Sequence, residues 1–284
     1  MNYSITRENG GVIAWTDEQV AYIIQKYTQE NYTLKQLGRE FGCSYGSIRN
    51  LLNQHGVSSR GNKQGYPRDS FYFNQIDTPA KAYWLGLLYA DGCVSSDSSK
   101  HELELGLKDE EHVKKFKEAL GAYNHKITTV TDKRWSQICY IYHFSIKDKQ
   151  LYNDLIKWGC TPNKSLTLEK IPNIPRDYIS HFIRGYFDGD GSLHWVNSTN
   201  NYRIAFCGTK AFLKDLTKEL VLPNTSPQAR ESKDYQIQIM GRHQVYRVLE
   251  YMYKDSTPEI RLNRKYDLYL KATEWAQGHR TNNN

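Results

Sequence analysis

Two apolar segments, Trp84-Leu-Gly-Leu-Leu-Tyr-Ala-Asp91-Gly92 and Ile183-Arg-Gly-Tyr-Phe-Asp-Gly-Asp190-Gly191, each close on Asp-Gly and stand 99 positions apart. The spacing recurs downstream. Leu120 and Leu220, each closing an amphipathic pattern, are 100 apart, and Lys164 and Lys265 are 101 apart. An offset this constant across successive elements implies one unit folded twice around a pseudo-two-fold axis.

The expected order within each copy is αββαββα. In the first, Thr78-Pro79 supplies an N-cap and an N1 proline for the helix that ends at Asp91. A strand follows over 101–107, with Leu103, Leu105 and Leu107 alternating against Glu102, Glu104 and Gly106. A helix over 110–120, two strands within 126–146 turning near Asp132-Lys-Arg134, and a helix over 149–158 lead to Thr161-Pro-Asn-Lys164. The second copy gives a helix from Pro175 to Asp190, a strand over 202–206, a helix over 210–220, a strand over 235–240 and a helix over 243–253 before Leu262-Asn-Arg-Lys265.

A carboxylate at a helix C-terminus meets the negative end of the macrodipole, so an aspartate there twice needs a compensating partner. A divalent cation would reverse the local electrostatics. Gly86 and Ala90, and Gly185 and Gly189, are four apart and share a helix face. With so little side chain there, the two helices can approach closer than the usual ~8–10 Å and bring Asp91 and Asp190 together. Adjacent carboxylates repel unless they share a proton or a cation.

Upstream, Thr16, Thr33 and Ser44 read as N-caps of three short helices, with Gly42 suited to a positive φ between the last two. Ile48, Leu51 and Leu52 would be buried, leaving Tyr45, Ser47, Arg49, Asn50 and Asn53 outward or on the flank. The region 33–54 resembles a helix-turn-helix DNA-binding unit, whose second helix presents its N-terminal residues to base edges. Any small three-helix bundle yields similar spacing. The polar stretch 58–70, with Arg60, Lys63 and Arg68, reads as a basic linker that could follow phosphates or serve as a plain tether.

The net charge of +7 suits a polyanionic partner without demanding one. The five cysteines are scattered and never in a C-x-x-C arrangement, which argues against a zinc site or a disulfide framework. The longest apolar stretch, 82–90, is far short of the ~20 residues a membrane span needs. An intracellular, cytoplasmic location, in a bacterial or phage-like host or an organelle, is the default expectation.

Both nonapeptides align without a gap with the motif of the LAGLIDADG homing endonucleases, and the resemblance extends over about 71–266. It implies an α+β fold: a duplicated αββαββα core with two saddle-shaped antiparallel sheets, preceded by the small all-α helix-turn-helix domain. The expected divisions are 1–57, a linker over 58–70, a first repeat over 71–170 and a second over 171–284. It further implies a site-specific DNA endonuclease that uses Mg2+ or Mn2+, makes a staggered double-strand break in a long asymmetric site, and acts as a monomer on double-stranded DNA with no membrane or protein partner. Carried over by position, Asp91 and Asp190 are the catalytic metal ligands, with no carbonyl ligand added at Ala90, and Lys164 and Lys265 are catalytic basic residues that would lower the cost of developing negative charge or orient the water network, a surface lysine contacting a phosphate being the alternative. One departure is Tyr89, where the second motif has Asp188.

Strand alternation nominates Arg203, Gln236 and Gln238 to read bases in the second half, with Glu102, Glu104, His143 and Ser145 on the comparable face of the first. Exposed polar alternation is also what any half-solvated strand shows. The alternative function is a DNA-binding regulator or an RNA maturase that keeps the fold without cleaving. Retention of both aspartates and both lysines argues against it.

Overall fold

A computed structural model describes residues 6–8, 12–30, 32–57, 67–132, 139–232 and 234–278. The chain divides into two compact units, 1–65 and 66–284. Arg60 and Lys63 lie outside the described residues, as does the turn expected after Asp132.

The first unit holds a short antiparallel hairpin, β1 (Thr6–Glu8) and β2 (Val12–Ala14), then α1 (Asp17–Thr28), α2 (Leu34–Glu40) and α3 (Tyr45–Gln54). Thr16 and Thr33 each form a capping box with the glutamine three residues on, and the Ser44 hydroxyl accepts from the Ser47 amide. Ile23, Leu37, Phe41, Ile48 and Leu52 form the core. Gly42 takes φ +65°, and a Cβ on Gly38 would fall 2.8 Å from the Cys43 carbonyl oxygen, so the turn between α2 and α3 closes only around small residues.

The second unit is the duplication. Its first copy runs α4 (Pro79–Ala90), β3 (Gly92–Val94), β4 (Glu102–Leu107), α5 (Glu110–Ala119), β5 (Ile127–Asp132), β6 (Cys139–Lys147), α6 (Lys149–Lys157) and the single turn α7 (Lys164–Thr167). The second runs α8 (Ile179–Asp190), β7 (Gly191–Val196), β8 (Asn201–Gly208), α9 (Lys210–Glu219), β9 (Gln228–Ala229), β10 (Tyr235–Ile239), α10 (Arg242–Tyr253) and α11 (Asn263–Gly278). The two sheets are antiparallel throughout and have the same order, β3-β4-β6-β5 and β7-β8-β10-β9. The fold is α+β, as the duplicated pattern implies.

Each sheet buries one face. Leu103, Leu105, Phe144 and Ile146 in the first, and Leu193, Ile204, Phe206, Ile237 and Ile239 in the second, join one core with both opening helices. Arg68 is pinned within this unit: its Nε donates to Asp148 at 2.6 Å, and Asp148 caps α6 through the amides of Gln150 and Leu151. Among the described residues no helix is long and apolar enough to cross a membrane.

Candidate metal and nucleic-acid site

Helices α4 and α8 pack backbone to backbone. A Cβ on Gly86 would overlap the Phe182 carbonyl oxygen, and one on Gly185 would overlap that of Tyr83. These are mirror contacts of the same position in the two copies. One turn further on, a Cβ on Gly189 would collide with the Ala90 Cβ and stand 3.0 Å from the Asp91 Oδ2. The small residues thus bring together the two helix ends that carry Asp91 and Asp190.

Both aspartates remain exposed, although protein crowds them on their other sides. Burial raises the carboxyl pKa of Asp91, while the charges of Lys265, Lys164 and Arg264 oppose the rise. Asp190 is pushed up to about 6, first by burial and then by Asp91, against the pull of Lys164 and Lys265. Strand alternation places each aspartate on the line of the solvent-facing residues that follow it, Cys93 after Asp91 and Ser192 and His194 after Asp190. The carboxylates therefore stand where the two outer sheet faces meet the helix pair.

Lys164 and Lys265 are buried, and their ammonium groups point at backbone. Lys164 Nζ donates to the carbonyls of Ala90, at 3.2 Å, and Gly92. Lys265 Nζ donates to those of Phe187, Asp188 and Gly191 at 2.5, 2.9 and 2.6 Å. Each lysine closes the carboxyl end of one opening helix, where free carbonyls and the macrodipole call for a cation. This is the compensation that an aspartate at a helix end requires. Burial lowers the Lys265 pKa to about 8, partly offset by Asp188, Asp91 and Asp190.

Asp188 has a different role from its neighbour two residues on. It is buried; Oδ1 accepts from the Tyr253 hydroxyl at 2.6 Å, and Oδ2 from the Tyr83 hydroxyl and the Leu262 amide, both at 2.8 Å. These bonds fix the start of α11 and hence Lys265. Arg184, wholly buried, donates to the carbonyls of Ile260 and Met252 at 2.9 and 2.7 Å and lies over the Tyr83 ring. Sequence reasoning passed over Arg184 and His112, whose Nε2 lies 2.7 Å from the Tyr83 hydroxyl. For Arg184 the available signal is a charged residue inside the apolar stretch Phe182 to Phe187, which demands a buried partner.

The remaining nominated residues fall in two places. Arg203, Gln236 and Gln238 are half-buried on the outer face of the second sheet, Gln236 opposite Cys207 and Gln238 opposite Ala205. In the first sheet Glu104 and Ser145 are exposed cross-strand partners, Glu102 is 3.8 Å from Lys147, and the His143 ring lies over Gly106. In the first unit Tyr45, Arg49, Asn50 and Asn53 are exposed on α3, whereas the Ser47 hydroxyl lies 3.0 Å from that of the N-cap Ser44. Among the described residues no cluster of three His, Cys, Asp or Glu side chains is arranged to hold a metal. The donor set at the helix ends is two carboxylates. That suits Mg2+, which keeps waters and completes its shell with phosphate oxygens.

Residues 80–148 match the family model described as the WhiA LAGLIDADG-like domain, which supports the LAGLIDADG resemblance. Among curated proteins, the uncharacterized protein MJ0314 of Methanocaldococcus jannaschii is 24% identical over 156 residues, 55% of this chain and 57% of that protein. The match thus spans little more than half the length of the relative. Similar solved structures include the homing endonuclease I-WcaI bound to its DNA recognition sequence (TM-score 0.49, 18% identity, 69% of this chain and 90% of that one). Another is full-length DUF199/WhiA from Thermatoga maritima (TM-score 0.43, 13% identity, 72% and 64%).

Proposed function

We propose that this chain is a site-specific, divalent-metal-dependent DNA endonuclease of the homing type, which makes a staggered double-strand break in a long asymmetric site. The observation that carries the reading is the pair of solvent-facing aspartates, Asp91 and Asp190, held together by two glycine-packed helices whose carboxyl ends are closed by buried lysines. A structural role alone does not call for two like charges side by side at a helix-pair terminus.

In this reading Asp91 and Asp190 hold Mg2+ or Mn2+, which supplies Lewis acidity toward phosphate oxygens and water. Lys164 and Lys265 fix the backbone from which the carboxylates project and place positive charge behind them, so that neither aspartate moves when a phosphate arrives. This gives the lysines a positioning role in place of the direct part in easing developing negative charge or orienting the water network that is expected from sequence. Arg203, Gln236 and Gln238 carry donors suited to purine edges. The helices of the first unit add an anchor through Tyr45, Arg49, Asn50 and Asn53. The duplication predicts a monomer on DNA, since one chain holds both half-sites.

A second reading, a DNA-binding regulator without cleavage, draws on the matching family model being that of WhiA. The test is to select sites from a randomised plasmid library that the purified full chain either binds or cuts in Mg2+. The expected result is a defined staggered break that Asp91→Asn or Asp190→Asn reduces by at least ~10^3-fold with binding retained. Sites bound tightly but never cut in Mg2+ or Mn2+ favour the regulator.

A further inference from the structure

The two aspartates do not have the same surroundings. Beside Asp91 lies a cleft of about 300 Å³, walled by Leu87, His112, Ile141 and Leu262, with Asp109 and Arg264 also lining it. At about 30 Å³ per molecule this volume holds several waters. The corresponding positions beside Asp190 carry larger side chains. Tyr186 stands where the first copy has Leu87, and its hydroxyl donates to the Cys207 carbonyl at 2.6 Å. Its ring packs on Phe212, the counterpart of His112, at 4.5 Å between centroids.

The charges differ too: Asp234, ion-paired with Arg230 at 2.7 Å, adds negative charge near Asp190, whereas Arg264 adds positive charge near Asp91. Arg264 Nε donates to Asp109 Oδ2 at 3.1 Å, and the Arg264 side chain is 58% exposed. That bond anchors the guanidinium by one edge. Counting from Lys164 and Lys265, the equivalent residue in the first copy is Asn163, which carries no charge. Arginine is suited to gripping a phosphate through paired donors, and asparagine is not.

We propose that Arg264, anchored by Asp109 at the cleft beside Asp91, binds the scissile phosphate of one DNA strand and makes the two half-sites unequal, so that this strand is cut first. The inference rests on the nuclease reading. The cleft gives water access to that phosphate, and the larger Tyr186–Phe212 pair stands at the counterpart positions on the other side.

The experiment uses the full chain, Mg2+ and a supercoiled plasmid bearing a selected site, with each strand end-labelled. Wild type is expected to accumulate a nicked intermediate with the nick always in one strand. Arg264→Ala should slow that strand by on the order of 10-fold or more while the other strand keeps its rate, and Arg264→Lys should recover part of the loss. Leu87→Tyr, copying the larger residue of the other side, should slow the same strand, with circular dichroism confirming that it folds. Equal strand rates in wild type, or an equal loss on both strands in Arg264→Ala, overturn the proposal alone. A wild type that binds its selected sites and nicks neither strand overturns the nuclease reading and the proposal with it.

Discussion

The opening helices of the two repeats are alike in length and in their terminal aspartates and unlike in chemistry. Helix α4 has Leu85, Leu87 and Tyr89 where α8 has Arg184, Tyr186 and Asp188, and all six are buried. Tyr89 donates to the Trp158 carbonyl and packs against Phe182, whereas Asp188 collects three hydrogen bonds. Three features are kept in both copies: the glycines at the helix contact, the terminal aspartates and the buried lysines. Those are the features that bring two carboxylates together. Behind them, at Leu85/Arg184 and Tyr89/Asp188, either an apolar contact or a satisfied polar network fills the same volume.

The most damaging way to break the shared frame is at the glycines. Gly86→Val and Gly185→Val should be equally destructive, because each Cβ would meet backbone of the facing helix, which cannot rotate aside. Overpacking a core usually costs ~1–3 kcal/mol, and a backbone clash should exceed the upper figure. Urea unfolding should show both variants largely unfolded or with midpoints lowered alike. A mild effect at either position would mean that the helices can separate without loss.

The lysines should rank next, and unequally. Lys265→Met removes three hydrogen bonds to backbone carbonyls and Lys164→Met removes two. Hydrogen bonds to a charged group contribute ~1.5–3 kcal/mol each before desolvation is subtracted. A net loss of about 3 kcal/mol for the first and about 2 for the second is expected from denaturant melts. Reversal of that order would point to a larger burial cost for Lys265 than its three bonds offset.

The aspartates give a smaller effect with a definite sign. The folded-state pKa of Asp190 lies near 6, above the ordinary 3.8, so the folded chain binds more protons than the unfolded one between those values. Stability from this group therefore falls as pH rises from about 4 to 6, and above that range the charge is a net cost. Much of the carboxylate faces solvent, and discounting for screening leaves about 1 kcal/mol. Asp190→Asn should raise the melting temperature of metal-free protein by ~2–4 °C at pH 7, and the gain should shrink toward pH 4. Mg2+ should raise the wild-type melting temperature at pH 7 more than that of the variant. A pH-independent gain would place the benefit elsewhere than in the charge.

Much of this frame was legible because repetition doubles every signal. The opening helices, the strand of alternating leucines before α5 and the helices that follow could each be checked against a second copy. Strands β3, β7 and β9 escaped for opposite reasons: β3 and β9 are too short to show a period, and β7 mixes Trp195 and Val196 with exposed His194. No helix is expected over the residues of α11, because its buried residues, Lys265, Tyr269, Ala272 and Ala276, include a lysine that masks the apolar spacing. The aspartates were found from their misfit to the helix dipole. That the lysines answer the misfit could not be, since their bonds reach back 72–78 positions in the chain.

The smallest test concerns a loop where the copies place different residues at one left-handed position. After α5 the chain turns at Gly121 with φ +62°, and after α9 it turns at Val221 with φ +51°. The left-handed region costs an L-residue ~1–2 kcal/mol, and a β-branched side chain is among the least tolerant. Val221 is 67% exposed, so its side chain gains little from burial, and the loop is held instead by Arg247, which donates to the carbonyls of Leu220 and Val221 at 2.8 and 3.1 Å. Val221→Gly should release the strain, less the ~0.5–1 kcal/mol that glycine's added chain entropy costs. The net expectation is a stabilisation of about 0.5–1 kcal/mol, or ~1–3 °C in melting temperature. Gly121→Val should lose about as much, since it imports the same strain. If both substitutions prove neutral, the two turns relax independently of the residue they carry, and the left-handed conformation after α9 is set by the Arg247 clamp rather than tolerated against the cost of Val221.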